Sequence, residues 1–330
     1  MALTRMTYSA AAGEALATAM RADARVVAVG EDLGRGGVFG QYRSRAADGA
    51  LRPLQQEFGA ARVIDTPISE ANIMGAAVGM ALAGLKPVVE MRVVDFALCG
   101  MDELVNQAAK NRYMFGGQGR VPLVARMPVG LWSASAAQHS QSLEAWFAHI
   151  PGLVVVCPAT PQDNHALLTA ALNCGDPVAY LEHKELWGLE GEVDIGRPIE
   201  LGRARVAREG SDLTLVTWSR TLHESIAAAN TLAGEGIEIE VIDLRTLWPW
   251  DRDTVLASCA RTKRLLVAHE AVQAAGFGAE IAATVAEALG CPVRRLGAPR
   301  IPVGYAPTLE SQARVGADRI AAAARAFLQR

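Results

Sequence analysis

The chain reads as an α/β protein of two doubly wound domains. Three observations predict this. Apolar, β-branched runs such as RVVAVG (residues 25–30) alternate with alanine-rich stretches of helical period, the pattern of sheets covered by helices on both faces. With 330 residues, and roughly 150 per domain, the length suits two units. Hydrophobic residues make up 51% of the chain and charged residues 20%, enough apolar surface for two cores and too much for disorder.

Residues 7–20 have helical period, with Ser9 placed to cap them. The strand at 25–30 ends in the acidic pair Glu31-Asp32 and runs into a glycine-rich loop, GRGGVFG. A short strand at 62–65 leads through TPISE into an apolar helix over 72–83. A strand at 86–94, a helix at 98–114 and a strand at 121–126 follow, the last opening into a loop that holds Trp132, Gln138 and His139. Strands at 153–157 and 178–182 flank a helix at 161–174 whose first residue is proline, a residue with the fixed φ that position wants. Periodicity lapses between Trp187 and Arg197, which divides the chain into domains at 1–190 and 191–330. Beyond it come strands at 213–217, 237–242, 264–269 and 293–296, alternating with helices at 222–233, 252–259 and 278–289. A helix at 309–328 closes the chain.

Charge and cysteine usage exclude several functions. Thirty-two basic and thirty-five acidic residues give a net charge of −3, with no basic stripe for nucleic acid and none for an anionic membrane. The five cysteines are odd in number and never spaced C-x-x-C, so reduced thiols in the cytoplasm fit better than a zinc ribbon or a disulfide framework. No apolar run reaches the roughly 18 to 20 residues of a membrane span, and the N-terminus lacks the apolar stretch of a signal peptide. GRGGVFG fails the dinucleotide pattern G-x-G-x-x-G because Phe39 stands at the third glycine. A phosphate loop, a nucleophile elbow and a zinc helix are all missing. His269-Glu270 has no second histidine at helical spacing and reads as structural.

Three polar segments remain. In DTPISE (65–70), Ser69 is placed to cap the next helix, and the Glu70 carboxylate suits the positive end of its dipole. In VVDF, Phe96 follows a buried strand, where core packing is its plainest role. In AAQHSQ (136–141), His139 lies on a loop beyond a strand, where function concentrates.

Taken in order, these segments resemble the beta subunit of thiamine-diphosphate-dependent 2-oxo acid dehydrogenases. The likeness extends through GGVFG, ALAGLKPVVEM, NQAAKNRYMFGG, HIPGLVVVCP, EVIDLRTLWPWD and HEA followed by GFGAEI. VDFALC, RYMFGG and HIPGLVVVCP look closest to acetoin dehydrogenase, with pyruvate dehydrogenase near behind. The resemblance implies a transketolase-like pyrimidine-binding domain followed by a transketolase C-terminal-like domain.

It also implies roles. Glu70 would hydrogen-bond the pyrimidine ring of thiamine diphosphate on the far side from its amino group, making that group basic enough to take the thiazolium proton. Burial would raise the carboxyl's pKa and help it share its proton. Phe96 would stack on the pyrimidine, with Ile68 beside it. His139 would face the substrate, steadying charge or shuttling protons. The family's diphosphate and magnesium motif, G-D-G followed by asparagine, is absent here, so an alpha subunit would hold the magnesium in an α2β2 heterotetramer. A lipoyl-bearing acyltransferase core would accept the acyl unit. Potassium would bind mostly through backbone carbonyls at Leu123, Ala171, Leu172, Cys174 and Asp176, with Cys174 replacing an acidic residue. Arg92, Val93 and Trp132 depart from the pattern near the cofactor, and a guanidinium there suits a phosphate or carboxylate. Arg92 motivates the rival reading, a two-chain transketolase acting on sugar phosphates. A non-catalytic scaffold is the third.

Overall fold

The computed structural model describes residues 3–329. It divides into two compact units: residues up to Val129 with Phe147–Leu201, and Gly130–Trp146 with Gly202 onward. In chain order the first carries β1 (Thr4–Thr7), α1 (Tyr8–Ala22), β2 (Val26–Gly30), β3 (Arg43–Arg45), β4 (Leu51–Pro53), α2 (Leu54–Phe58), β5 (Val63–Asp65), α3 (Glu70–Leu82), β6 (Lys86–Glu90), α4 (Ala109–Met114) and β7 (Val124–Val129). After a short helix, α5 (Glu144–Ala148), come β8 (Val154–Val156), α6 (Pro161–Asn173), β9 (Val178–His183) and β10 (Glu190–Val193).

Six strands of this unit run parallel in the order β8-β9-β7-β6-β2-β5. Every residue of β2, β7 and β9 is buried, which explains why they are mostly apolar; the charged Arg126 of β7 and Glu182 of β9 are the exceptions. Leu16 and Met20 of α1 and Leu167 and Leu168 of α6 pack on Val26, Val124 and Val178 of the sheet. The strand order reverses at β2, because the chain steps outward to β5 and then back across to β6. A ligand crevice in such a sheet lies beyond the carboxyl ends of the strands at that reversal.

The second unit carries β11 (Arg205–Arg208), β12 (Leu213–Thr217), α7 (Thr221–Ala233), β13 (Ile239–Asp243), β14 (Thr246–Trp248), α8 (Arg252–Thr262), β15 (Leu265–Val272), α9 (Gly278–Leu289), β16 (Val293–Ala298), α10 (Pro307–Ala313) and α11 (Ala317–Leu328). Its sheet has the order β11-β13-β12-β15-β16. Only β11 is antiparallel to its neighbour.

Several elements differ from the sequence reading. Thr7, not Ser9, caps α1, its side chain accepting from Ala10 N–H at 3.2 Å. The helix expected over 98–114 is a 3₁₀ turn (Phe96–Gly100), a wide π turn (Glu103–Ala108) and α4. Asp102 accepts from Asn106 at 2.7 Å and Gln107 at 3.3 Å, four and five residues ahead, which suits a widened turn. The stretch around 187–197, where periodicity lapses, contains β10, paired antiparallel with β1. The closing helix breaks between α10 and α11, where Glu224 accepts from Ala317 N–H at 2.8 Å and so supplies the cap of α11.

A charged network occupies the core of the first unit. Arg126, fully buried on β7, donates from Nε and Nη2 to Glu182 on β9, both at 2.8 Å. Asn164 donates to the same carboxylate at 2.9 Å, and Tyr180 donates to Asn164 Oδ1 at 2.9 Å. Gln41, from the glycine-rich loop, donates to Glu90 Oε1 at 2.8 Å. Burial, reinforced by the charge of Glu182, outweighs the pull of Arg126 and pushes the Glu90 carboxyl up to about 7 from its ordinary 4.5.

The pH consequence has a definite sign. Below about pH 4.5 Glu90 is protonated whether the chain is folded or not; between there and pH 7 only the unfolded chain gives up the proton. Folding stability therefore falls as pH rises through that window, by an amount on the order of 3 kcal/mol, and levels off above it. His269, which burial pulls down to about 4, works in the opposite direction. Comparison with Glu90→Gln isolates the first contribution. Denaturant unfolding from pH 4.5 to 8 should show the variant gaining on the parent as pH rises, and parallel curves would remove Glu90 from the account.

Candidate active site

Beyond the ends of β2, β5 and β6 lies a pocket of about 440 Å³ lined by Glu31, Asp32, Asp65, Thr66, Pro67, Ile68 and Arg92. It sits at the reversal of strand order. The floor is tight: a Cβ on Gly30 would meet the Glu90 Cβ at 2.8 Å, so only glycine lets β2 and β6 approach there. Asp65 accepts from the Leu33 and Gly34 amides at 3.1 and 3.3 Å, tying the glycine-rich loop to the end of β5. Thr66 N–H donates to the Gly30 carbonyl at 2.9 Å, while its buried hydroxyl makes no hydrogen bond among the described residues.

Glu70 opens α3 at the rim of this pocket and is half-buried. Ser69 occupies the cap position but makes no side-chain cap bond, so the capping role expected of it is not what the structure shows. The positive end of the α3 dipole is left to Glu70. Ile68 is 77% exposed, an apolar face held at the pocket edge. Phe96 is half-buried at the head of the 3₁₀ turn that packs on α3. The approach is close, since a Cβ on Gly100 at the end of that turn would meet the Glu70 carbonyl at 3.2 Å. Glu70, Ile68, Phe96 and Arg92 thus belong to one neighbourhood of the first unit.

Arg92 lines the pocket and pairs with Asp32. Glu31, Asp32 and Asp65 share the pocket lining with this guanidinium, and Glu70 acts on Glu31. Burial first, and then the Glu70 charge, raise the Glu31 carboxyl above its ordinary value, and Arg92 opposes them. The charge of Arg92 is therefore largely committed to neutralising its own neighbours.

His139 lies exposed on the loop 130–146, which belongs to the second unit. Beside that loop is a cavity of about 560 Å³, lined by Leu131, Ser140, Trp146, Glu270, Val272 and Ile301 among others. His269 is buried, its ring stacked on Trp218 with centroids 5.1 Å apart and its Nδ1 3.1 Å from the Ala271 carbonyl, which fixes the proton on Nδ1. Glu270 accepts from Leu131 N–H at 2.8 Å.

The five residues expected to hold potassium gather near α6 and β9, but their donors are partly engaged. The Leu123 carbonyl accepts from Val178 N–H at 2.8 Å and that of Ala171 from Cys174 N–H at 3.4 Å. The Cys174 thiol donates to the Asp176 carbonyl at 3.4 Å, and Arg112 pairs with the Asp176 carboxylate. A guanidinium already supplies positive charge there. The donor set for the pyrimidine of thiamine diphosphate fits better: an apolar edge at Ile68, an aromatic at Phe96, an unused hydroxyl at Thr66 and the Glu70 carboxylate. The sequence displayed the Glu31-Asp32 pair at the end of a buried strand without disclosing that it closes this pocket. It gave no sign of Glu270 reaching Leu131, a contact across 139 positions.

Comparison with known proteins also divides the chain in two, with residues 130–146 inside the first match. The family model "Transketolase, pyrimidine binding domain" matches residues 4–188, and "Transketolase, C-terminal domain" matches 202–320. The beta subunit of acetoin:2,6-dichlorophenolindophenol oxidoreductase from Cupriavidus necator is 43% identical over 97% of both chains. The chain belongs to the beta-subunit family of acetoin and 2-oxo acid dehydrogenases. The 2-oxoisovalerate dehydrogenase beta subunit of Bacillus subtilis is 39% identical over 97% of this chain and 98% of that one. The mitochondrial pyruvate dehydrogenase E1 beta-2 subunit of rice is 39% identical over 98% of this chain and 86% of its own length. A split-gene transketolase, described as an inactive beta4 tetramer, shares the fold with a TM-score of 0.80 over 97% of both chains, at 22% identity. Membership in the beta-subunit family implies dependence on thiamine diphosphate and a partner subunit. No helix among the described residues is long and apolar enough to cross a membrane.

Because Arg92 is committed to Asp32, Arg92→Met in the reconstituted enzyme should change the KM for a 2-oxo acid by no more than about threefold, in keeping with the small worth of a partly exposed ion pair. A rise of tenfold or more, with thiamine diphosphate binding unchanged, would instead assign Arg92 to recognition of the substrate's negative charge.

Proposed function

We propose that this chain supplies the pyrimidine half of a thiamine-diphosphate site in an α2β2 heterotetramer. The enzyme cleaves a carbon–carbon bond next to a carbonyl, in a 2-oxo acid or an acetoin-like ketone, and passes the acyl unit to a lipoyl group on an acyltransferase core. One observation carries the reading: Glu70 stands uncapped at the head of α3, beside a pocket that opens where the strand order reverses. When bound, thiamine diphosphate supplies a nucleophilic carbon and holds the charge released as the substrate's bond breaks.

The chain's own residues have the remaining work. Glu70 holds a proton at the ring nitrogen of the pyrimidine, and Phe96 and Ile68 supply the apolar contacts that keep the ring in place. His139 moves or stabilises a proton on the substrate side. The alpha subunit holds magnesium and the diphosphate, since this chain has no motif for them. Tyr113, Met114 and Phe115, consecutive and exposed, offer an apolar surface for that partner. The sugar-phosphate alternative loses its support twice: Arg92 is paired with Asp32, and the dehydrogenase beta subunits are far more similar in sequence than the split transketolase. Five free cysteines suit a cytoplasmic location.

The split-gene transketolase beta chain is described as inactive when it forms a beta4 tetramer, and the lone chain here should be inactive as well. Purified chain with thiamine diphosphate and magnesium should not reduce dichlorophenolindophenol with pyruvate or acetoin, whereas adding the alpha subunit should start turnover. Full activity from the lone chain would overturn the split site. In the reconstituted enzyme Glu70→Gln should lower turnover on the order of 10²- to 10⁴-fold while leaving thermal unfolding close to the parent's. Parental rates of cofactor C2 proton exchange in that variant would reduce Glu70 to a helix-end charge.

A further inference from the structure

The loop that carries His139 has a backbone it cannot hold unaided. Ser133, Ala134 and Ala136 lie in the left-handed region, with φ of 49°, 55° and 62°. None is glycine, so each meets the steric penalty of its own Cβ. The amide of His139 donates to the Ala136 carbonyl at 3.4 Å, which makes the histidine's placement depend on that left-handed residue. Gly130 N–H donates to the Gln141 carbonyl at 2.9 Å and closes the base of the loop.

What holds the span between comes from the distant end of the same unit. Glu270, at the end region of β15, accepts from Leu131 N–H at 2.8 Å. Glu310, on α10, accepts from Ala134 N–H at 3.0 Å. The two carboxylates are 9% and 8% exposed, so both bonds are shielded from water. Hydrogen bonds from backbone amides to carboxylates are stronger than amide–carbonyl bonds. Both carboxylates stand on regular elements, which makes them rigid posts for an irregular segment.

We propose that Glu310 and Glu270 are positioning residues that clamp the loop in its left-handed shape and thereby present His139 to the substrate. The proposal rests on the reading of His139 given above. It assigns the C-terminal part of the chain a task in the reaction: setting the geometry of a residue that lies far away in sequence.

The test uses Glu310→Ala and Glu310→Gln, because a glutamine carbonyl can accept the same bond. Amide exchange is followed by mass spectrometry in a peptide spanning 131–139, with a peptide covering β12 as the control for global unfolding. Glu310→Ala should speed exchange in 131–139 by about tenfold or more, as expected for loss of a buried bond to a charged group, and leave β12 protected. In the reconstituted enzyme its kcat should fall on the order of 10- to 100-fold, the scale of a misplaced group, with the apparent affinity for thiamine diphosphate unchanged. Glu310→Gln should restore both readouts to near the parent's. Exchange at the parental rate in Glu310→Ala would overturn the clamp, as would loosened exchange with parental kcat while His139→Ala is inactive. Should His139→Ala itself be fully active, the catalytic reading of His139 fails, and the exchange result still decides whether the clamp exists.

Discussion

A guanidinium shut away from water must be met by a carboxylate, and in the first unit Arg126 is met by Glu182 through two nitrogens at once. Removing one partner of such a pair costs about 3–5 kcal/mol, because the other charge is stranded in the core. The pair joins β7 to β9, and its neighbours extend the tie outward. Arg126 also donates to the Gln41 carbonyl at 3.3 Å, and Gln41 reaches Glu90 at the end of β6. The glycine-rich loop is thereby anchored to the ends of the central strands, and that loop borders the pocket at the strand reversal. The position of the pocket thus depends on charges buried beneath it.

The pocket itself is a compromise between shape and charge. Glu31, Asp32 and Asp65 line it where three parallel strands end, Arg92 is a cation in the same lining, and Glu70 opens α3 two residues beyond Ile68. The proximity bears on Glu31, whose carboxyl is raised by burial first and then by the Glu70 charge. A site of this kind can share a proton with a bound heterocycle more readily than it can bind a second anion. That favours a chemistry in which Glu70 tunes a cofactor and another subunit takes the diphosphate.

Much of the architecture was legible because strands buried on both faces are mostly apolar, as in 26–30 and 213–217, and the helices covering them repeat with helical period. Glu70, Ile68, Phe96 and His139 stood out in the sequence only as a constellation, since each has an ordinary structural role when taken alone. Three features were not legible for physical reasons. Ser69 matches the pattern of a cap, but whether a side chain bends back to its helix depends on local dihedrals. The π turn at 103–108 keeps the composition of an α-helix and differs only in its backbone pairing, which leaves no mark in the sequence. The assignment of 130–146 to the second unit follows from contacts such as Glu310 to Ala134, whose partners are 176 positions apart and leave no periodic trace.

The central claim is that Glu70 engages the cofactor's pyrimidine ring. A structure of this chain with its alpha subunit, thiamine diphosphate and magnesium tests it without reference to rates. The account predicts a Glu70 carboxylate oxygen within a short, charge-assisted hydrogen bond of the pyrimidine ring nitrogen, about 2.7 Å, with Ile68 and the Phe96 ring against the heterocycle. A bound cofactor whose ring nitrogen meets another carboxylate, with Glu70 turned to solvent or back onto the amides of α3, would contradict it.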